Sequence, residues 1–111
     1  MKIRIFPSRV QGTLTAPSSK SDIHRGLICA ALAMGESHIR VNDPAIDALV
    51  TADALGALGA EVIRTDDGFV VRGTDPFSHG GAAVDCGESG STLRFLIPVL
   101  ALSGEEMLLT G

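Results

Sequence analysis

The sequence predicts a mixed α/β (α+β) fold built from a repeated unit, and three observations support this. Short runs with the two-residue alternation of strands are interspersed with longer runs of helical periodicity. Gly and Pro residues separate these runs, as is typical of turns between short elements. One pattern, a loop of small residues followed by a helix, a Gly-Glu step and a strand, recurs after 69 residues.

The first copy of the repeat is predicted to occupy residues 10–73. Strands are expected at 2–6, 11–16, 37–41, 61–65 and 69–72, and helices at 23–34 and 46–58. Gly35 and Gly59 end the two helices, because glycine readily adopts the conformation that follows a helix. The step Asp66-Asp67-Gly68 between the last two strands predicts a hairpin. From the strand at 11–16 onward, the order is β-α-β-α-β-β.

The second copy begins after a polar, glycine-rich bridge over residues 74–81 and occupies residues 82–111. We expect a strand at 82–86, a helix at 91–102 that Pro98 kinks or shortens, and a strand at 107–110. The 69-residue shift aligns Arg25 with Arg94, Leu27 with Leu96, Ile28 with Ile97, Gly35 with Gly104 and Glu36 with Glu105. Two copies predict a quasi-symmetric architecture with converging helix N-termini, and a chain that stops within a copy is expected to belong to a longer protein.

Composition excludes several functional classes. The chain is 45% hydrophobic but has no Trp or Tyr and only four Phe. The core is therefore expected to be aliphatic, and few aromatic rings are available to stack on nucleic-acid bases. A net charge of −4 disfavours nucleic-acid and membrane-surface binding, although a local positive pocket stays possible. Cys29 and Cys86 lack zinc-site spacing, and Cys29 is expected to be a buried thiol. No membrane-spanning run or signal peptide is visible, which predicts a cytoplasmic protein.

The segment Ser18-Ser19-Lys20-Ser21 at the start of the first helix is one candidate site. The N–H groups of a first helical turn are unpaired, and the helix dipole adds about half a positive charge there. Serine hydroxyls and the Lys20 ammonium can bind an anion. Arg25, one turn further, has a guanidinium group whose paired N–H donors suit a carboxylate. These features predict a site for a phosphorylated or carboxylated small molecule. A capped helix with solvated side chains is the alternative, and the P-loop motif is absent.

The segment at residues 86–92, Cys-Gly-Glu-Ser-Gly-Ser-Thr, is the other candidate site. Its glycines, Gly87 and Gly90, permit a close approach of the backbone to a ligand. We expect Ser91 or Thr92 to cap the following helix, with Arg94 just inside it. The alternative is a tight turn in which Arg94 pairs with Glu88. Because both segments occupy equivalent positions in the repeat, a joint anion site is favoured.

The remaining polar residues carry a weaker signal. Asp47 and Asp53 on the second helix are spaced too widely for an i,i+4 pair and are expected to be solvated. His24, His38 and His79 show no metal-ligand spacing; His24, beside Arg25, is expected near the cleft without a catalytic role. No Ser-His-Asp arrangement or signature of a nucleophilic cysteine is visible.

Two motifs resemble a known family. Residues 17–27, Pro-Ser-Ser-Lys-Ser-Asp-Ile-His-Arg-Gly-Leu, resemble the P-x-S-K-S-x-x-x-R-[AG]-L segment of the shikimate-pathway enolpyruvyl transferases. Residues 85–95 are similar to the second glycine loop of that family, G-[NE]-[SA]-G-[TS]-x-x-R. The resemblance covers nearly the whole chain in the same order. The related UDP-N-acetylglucosamine enolpyruvyl transferases have a Lys-Asn pair where this chain has Lys20-Ser21.

The resemblance implies a fold and a reaction. The fold would be the inside-out α/β barrel of this family, with three β-α-β-α-β-β units in each of two lobes, of which this chain supplies about one and a half units. The reaction would transfer the enolpyruvyl group of phosphoenolpyruvate to the 5-hydroxyl of shikimate 3-phosphate, through a tetrahedral intermediate and loss of phosphate. The family uses no metal or organic cofactor, and glyphosate would compete with phosphoenolpyruvate in the intact enzyme.

The resemblance also implies roles for individual residues. Lys20 would contact both substrates, Ser21 and Arg25 would hold shikimate 3-phosphate, and Gly90 would lie against phosphoenolpyruvate. Three further positions are expected to bind substrate: Ser91, Arg94 and Asp47.

The chain departs from the family pattern at three places and in its length. Ser18 replaces a frequent Gly, Glu88 stands where many members have Asn, and of a common acidic pair only Asp47 remains. The chain also ends before an Arg-rich segment and before the carboxylates that move protons in the family. We therefore expect the chain to need the missing remainder of the enzyme as a partner and to be inactive alone. The alternative from another class is a non-catalytic module that binds small anions.

Overall fold

The computed structural model describes residues 1–75 and 81–111 of the chain. Three helices and five strands form within these two ranges. In chain order they are α1 (Lys20–Leu32), β1 (Glu36–Arg40), α2 (Ile46–Ala57), β2 (Glu61–Thr65), β3 (Gly68–Arg72), β4 (Ala83–Asp85), α3 (Gly90–Leu100) and β5 (Leu108–Thr110). The predicted bridge at 74–81 lies partly, and His79 wholly, outside the described residues. The mixed α/β class is confirmed.

Helix α1 begins earlier than its apolar periodicity suggested. Ser19 is the N-cap, and its hydroxyl accepts a hydrogen bond from the N–H of Asp22. Lys20 and Ser21 therefore belong to the first helical turn and not to a loop. The helix ends at Leu32, shortly before Gly35, whose φ of +99° takes the chain out of the helix. Met34, the last residue of the predicted helix, lies beyond the observed helix end and is exposed.

Strands β1, β3 and β2 form an antiparallel sheet in that order, with β3 in the centre. The predicted hairpin at Asp66-Asp67-Gly68 is confirmed, since Thr65 of β2 pairs with Gly68 of β3. On the exposed face the Arg72 guanidinium lies 3.0 Å from a Glu36 carboxylate oxygen and 2.9 Å from a Glu61 oxygen, which ties all three strands together. Such exposed pairs add little stability, although they favour this register.

Strands β4 and β5 form a separate parallel pair, with Ala83 opposite Leu108. A parallel pair needs a crossover connection, and α3 provides it. Pro98 lies inside α3 and cannot donate a backbone hydrogen bond, and the helix ends two residues later at Leu100. The predicted helix at 91–102 is therefore right in type, but its C-terminal bound was set too late.

The core lies between the helices and the three-stranded sheet. Leu27 of α1, Leu58 after α2 and Leu96 of α3 are all buried, together with Phe69 and Val71 of β3. Most of these side chains are aliphatic, as the composition predicted. None of the helices in the described part of the chain is long and apolar enough to cross a membrane.

Two predicted strands are wrong: residues 2–6 and 11–16 are neither helical nor in a strand. Their side chains, including Ile3, Ile5 and Leu14, are exposed. Strand-like alternation is present in these segments, but a strand becomes stable only when a neighbouring strand accepts and donates its backbone hydrogen bonds. No such neighbour pairs with them among the described residues.

The prediction for Cys29 is also wrong, because this thiol is exposed. Cys29 lies two residues from Leu27, about 200° around the helix, so it faces away from the core that Leu27 enters. The other cysteine, Cys86, is buried, and burial raises the pKa of its thiol. A generally apolar run did not indicate which face of the helix each residue occupies.

The close approach of Gly73 to the end of α1 yields a stability prediction. A Cβ at Gly73 would overlap the carbonyl oxygen of Ala33 and lie 2.7 Å from that of Ala30, both rigid backbone atoms. We expect Gly73→Ala to lower the free energy of unfolding by about 1–3 kcal/mol, the usual cost of overpacking. Urea unfolding followed by circular dichroism measures it.

Gly56→Ala is the matched control. Gly56 lies in α2, and a Cβ there would meet no atom within 4 Å. This substitution should stabilise the chain by about 0.5–1 kcal/mol, because alanine loses less backbone entropy in a helix. Equal effects at both positions would contradict the packing described for Gly73.

Candidate functional site

The N-terminal halves of α1 and α2 lie side by side and point the same way. The Lys20 ammonium forms an ion pair with the Asp47 carboxylate in the first turns of the two helices. One turn further along both helices, His24 Nδ1 lies 2.7 Å from the Thr51 hydroxyl. Two contacts in the same order along both helices mean that α1 and α2 run parallel.

Helix α3 joins the same group. The Thr92 hydroxyl lies 2.7 Å from that of Thr51, and the Phe95 ring is centred 6.1 Å from the His24 ring. The C-terminal halves also meet, because Ile28, Leu55 and Leu96 line one small apolar cavity. All three helices therefore run parallel, and their N-termini gather at one end of the domain. This is the convergence that the repeat predicted.

The predicted site residues of α1 lie at this end. Lys20 is half exposed and Ser21 is exposed. The Arg25 guanidinium is paired to Asp22 at 3.0 Å and lies 5.9 Å from the centre of the Phe95 ring on α3. Exposed ion pairs of this kind are weak, so an anionic ligand could take the place of Asp22 beside Arg25.

Asp47 is not solvated, and that prediction is wrong. Its side chain is only 23% exposed and is paired with Lys20. The hydrogen bond from Lys20 holds the pKa of Asp47 below its usual value, against the opposing effect of desolvation. The spacing from Asp53 was no guide, because the partner of Asp47 belongs to another helix. Asp53 itself is exposed, as predicted.

The second candidate segment is a tight turn that enters α3. The N-cap is Ser89, whose hydroxyl accepts from the Thr92 N–H, and not Ser91 or Thr92 as predicted. Gly87 has a φ of +50°, and its N–H donates to Asp85 at 2.8 Å. Gly90, the first residue of α3, is exposed at the helix N-terminus, and Ser91 beside it is partly buried.

Arg94 and Glu88 do not form the pair that the alternative interpretation of this segment required. Both are exposed, and neither has an ion-pair partner within the residues described here. The Arg94 side chain lies over Gly90, since a Cβ on that glycine would be 3.8 Å from Arg94 Nη1. Arg94 is therefore free to bind an anion close to the first turn of α3.

His24 does not line an open cleft. Its side chain is fully buried between α2 and Phe95. Burial lowers the pKa of His24; the nearby Asp47 carboxylate opposes this effect and Lys20 adds to it. The His24 ring is therefore neutral and buried.

Sequence reasoning missed two polar residues of this region, Thr51 and Ser89. Both are buried, and both belong to the hydrogen-bonded network at the helix N-termini. A threonine inside the apolar helix α2 was a usable signal, because a buried hydroxyl needs a partner. The partners, however, lie 27 and 41 residues away in the sequence.

The electrostatics of this end favour an anion. Three parallel helices bring the positive ends of their dipoles together. Asp22 and Asp47 occupy the first turns of α1 and α2, but the first turn of α3 has no acidic residue. The unpaired N–H groups at the start of α3, with Arg94 beside them, therefore favour an anion, although the exposed Glu88 carboxylate directly precedes the N-cap. No group of three or more potential metal ligands occurs among the described residues.

Gathered helix N-termini with basic side chains are typical of α/β domains that bind small anions. The family model for EPSP synthase (3-phosphoshikimate 1-carboxyvinyltransferase) matches residues 6–111. The chain therefore belongs to the EPSP synthase family, a family of transferases, as the two sequence motifs indicated.

Individual relatives agree with this assignment. The chain is 39% identical over 109 residues to a 3-phosphoshikimate 1-carboxyvinyltransferase of Clostridium kluyveri, covering 98% of the chain. It is 48% identical over 101 residues, 87% of the chain, to the protein of that name from Methanosphaerula palustris. The matched region is 26% and 24% of these two relatives, so the chain spans about a quarter of their length.

The buried, neutral His24 predicts how stability depends on pH. In the unfolded chain His24 takes up a proton near its ordinary pKa of 6.5, whereas the lowered pKa keeps it neutral in the folded chain. The unfolded state then binds more protons, so stability should fall as the pH drops through 6.5 toward the folded pKa. Urea unfolding between about pH 7.5 and about pH 5.5 measures this slope.

Two variants assign the slope to His24. His24→Gln should flatten it, because the titrating ring is gone. His38→Gln should leave it largely unchanged, since His38 is exposed and, among the described residues, hydrogen-bonds only with Glu36, at 3.0 Å. A slope that survives His24→Gln and disappears in His38→Gln would show that the exposed histidine controls this pH range.

Proposed function

We propose that the chain is the N-terminal part of a 3-phosphoshikimate 1-carboxyvinyltransferase and supplies one side of its substrate cleft. The intact enzyme would transfer the enolpyruvyl group of phosphoenolpyruvate to the 5-hydroxyl of shikimate 3-phosphate. The observation that carries the proposal is the convergence of three helix N-termini with Lys20, Arg25 and Arg94 around them. Both substrates are polyanions and require such an environment.

In this proposal α1 and α3 bind different substrates. Ser21 and Arg25 at the start of α1 bind shikimate 3-phosphate. Gly90 at the start of α3 lets the backbone approach phosphoenolpyruvate, with Ser91 and Arg94 as further contacts. Arg25 fits this assignment because its guanidinium, paired to Asp22 in its own helix, lies over the Phe95 ring of α3.

Lys20 would offset the negative charge that the two substrates bring together. It is half exposed, so its ammonium can reach a ligand without a change in the backbone. Asp47 would act on Lys20 and not on the substrate, since a carboxylate held ionised by its lysine repels an anion. This differs from the sequence-based assignment of Asp47 as a binding residue.

The proposal includes a partner and a location. The carboxylates that move protons are expected in the remainder of the enzyme, which corresponds to the roughly three quarters of the relatives that this chain does not span. In this proposal residues 10–73 are one unit, and residues 82–111 part of a second unit, of a two-lobe protein. We place the protein in the cytoplasm, where its thiols, Cys29 and Cys86, would stay reduced.

Titration of the isotope-labelled chain with shikimate 3-phosphate, followed by NMR, tests the substrate assignment. Amide shifts should concentrate at Lys20, Ser21 and Arg25 and exceed those caused by inorganic phosphate. Lys20→Ala should weaken binding at least about tenfold, because it removes a charge-assisted contact. Lys2→Ala is a matched control. It removes the only other lysine of the chain, which is exposed in the N-terminal segment.

Each contrary outcome has its own meaning. Equal shifts with phosphate and shikimate 3-phosphate would favour a general anion-binding module. Larger shifts with UDP-N-acetylglucosamine would favour the related UDP-sugar enzymes. If Lys20→Ala and Lys2→Ala weakened binding equally, the effect would be one of net charge and the proposed site would be wrong.

We expect the chain alone to release no phosphate from phosphoenolpyruvate and shikimate 3-phosphate. The physical reason is that no proton-transferring carboxylate of the other lobe is available to it. A colorimetric phosphate assay measures this, with the full-length Clostridium kluyveri relative as the positive control. Sustained release above the background rate would contradict the proposed division of labour.

A further inference from the structure

Thr51 in the second turn of α2 contacts both other helices. Its side chain is fully buried. Its hydroxyl oxygen lies 2.7 Å from His24 Nδ1 on α1, 2.7 Å from the Thr92 hydroxyl on α3, and 3.0 Å from the carbonyl oxygen of Asp47 in its own helix. A hydroxyl offers one proton and two lone pairs, so Thr51 can accept a hydrogen bond from one of these groups and share its proton between the other two.

A buried hydroxyl is costly without partners, and valine has nearly the same shape. The surroundings are those of a helix core, with Ala48, Ala52 and Leu55 buried on the same helix. Packing alone would be served equally well by valine at this position. The contribution that distinguishes threonine is the pair of hydrogen bonds to the neighbouring helices.

The hydrogen bonds form a chain that reaches the second candidate segment. The Thr92 hydroxyl donates to the Ser89 hydroxyl at 2.7 Å, and Ser89 is the N-cap of α3. A continuous chain needs one donor at its start, and the Nδ1–H form of His24 supplies it: His24 donates to Thr51, Thr51 to Thr92, and Thr92 to Ser89. Thr51 can share its proton with the carbonyl of Asp47.

The other ring nitrogen supports this assignment of protons. His24 Nε2 is the buried side-chain polar atom that lacks a hydrogen-bond partner within the described parts of the chain. A buried N–H group without a hydrogen-bond partner is rare in protein interiors. A buried acceptor without a partner is more common. With the proton on Nδ1, the unpartnered Nε2 is only an acceptor. The structure therefore favours the Nδ1–H tautomer of His24.

Both ends of the chain adjoin residues of the proposed site. On α1, His24 is next to Arg25 and one turn after Lys20; on α3, Thr92 follows Gly90 and Ser91. Apolar side chains can slide past one another with little change in energy, but hydrogen bonds of 2.7 Å fix both distance and direction. We propose that Thr51 is a positioning residue, whose hydroxyl sets the separation of the two anion-binding helix N-termini. The choice of ligand in this inference rests on the proposed function, whereas the helix geometry does not.

A pair of substitutions separates the hydroxyl from packing. Thr51→Val keeps the shape and removes the hydroxyl, whereas Thr51→Ser keeps the hydroxyl and removes a methyl group. We expect Thr51→Val to weaken binding of shikimate 3-phosphate at least about tenfold and Thr51→Ser by less than about threefold. A residue that only fills space would give the reverse order, because serine leaves a small cavity and valine does not.

Nitrogen-15 NMR of the His24 ring gives a readout that depends on the hydrogen bond itself. The parent chain and Thr51→Ser should show the Nδ1–H tautomer. In Thr51→Val this preference should be lost, and the amide signals of Gly90 and Ser91 should move although no residue of α3 has changed. An Nε2–H tautomer in the parent chain would overturn the inference without any variant, even if Thr51→Val failed to fold.

The outcomes also separate this inference from the proposed function. If shikimate 3-phosphate does not bind the parent chain, the proposed function fails, while the ring tautomer and the Gly90 and Ser91 shifts still test the positioning role. If the parent chain binds the ligand and Thr51→Val binds it equally well with unmoved α3 signals, the positioning role is refuted and the proposed function stands.

Discussion

The parallel arrangement of α1, α2 and α3 is the constraint on which the rest of this structure depends. Parallel helices place the positive ends of their dipoles together, which is electrostatically unfavourable unless negative charge lies nearby. Asp22 and Asp47 supply part of that charge in the first turns of α1 and α2. The first turn of α3 has no acidic residue. The positive end of its dipole is therefore not neutralised within that turn, and this favours an anionic ligand.

The two ends of the helix group have opposite characters. At the N-terminal end, buried hydroxyls and His24 join the helices through directional hydrogen bonds. At the C-terminal end, aliphatic side chains such as Leu55 and Leu96 surround a small apolar cavity. Apolar burial provides most of the free energy of association, whereas the hydrogen bonds determine the position of each helix along its neighbours. Stability and site geometry therefore depend on different residues of the same three helices.

Local sequence signals predicted most of the elements but not those that need a distant partner. The helices, the hairpin and the order of strands from residue 36 onward follow from periodicity, Gly35, Gly59 and the Asp66-Asp67-Gly68 turn. The strands expected at 2–6 and 11–16 have the right alternation, yet a strand is stabilised by its neighbour and not by its own pattern. Cys29 was misplaced for a related reason, since average apolarity does not identify a helix face.

The sequence alone determined the family, the two loop motifs and the positions of Lys20, Arg25 and Gly90 at helix starts, because these depend on residues close together in the chain. Tertiary structure decided what each of them contacts. It paired Lys20 with Asp47 and left Arg94 and Glu88 apart. It also joined His24, Thr51 and Thr92 across as many as 41 residues of sequence. Hydrogen bonds and ion pairs act over a few ångströms in space, and only the packing of the three helices brings these side chains that close.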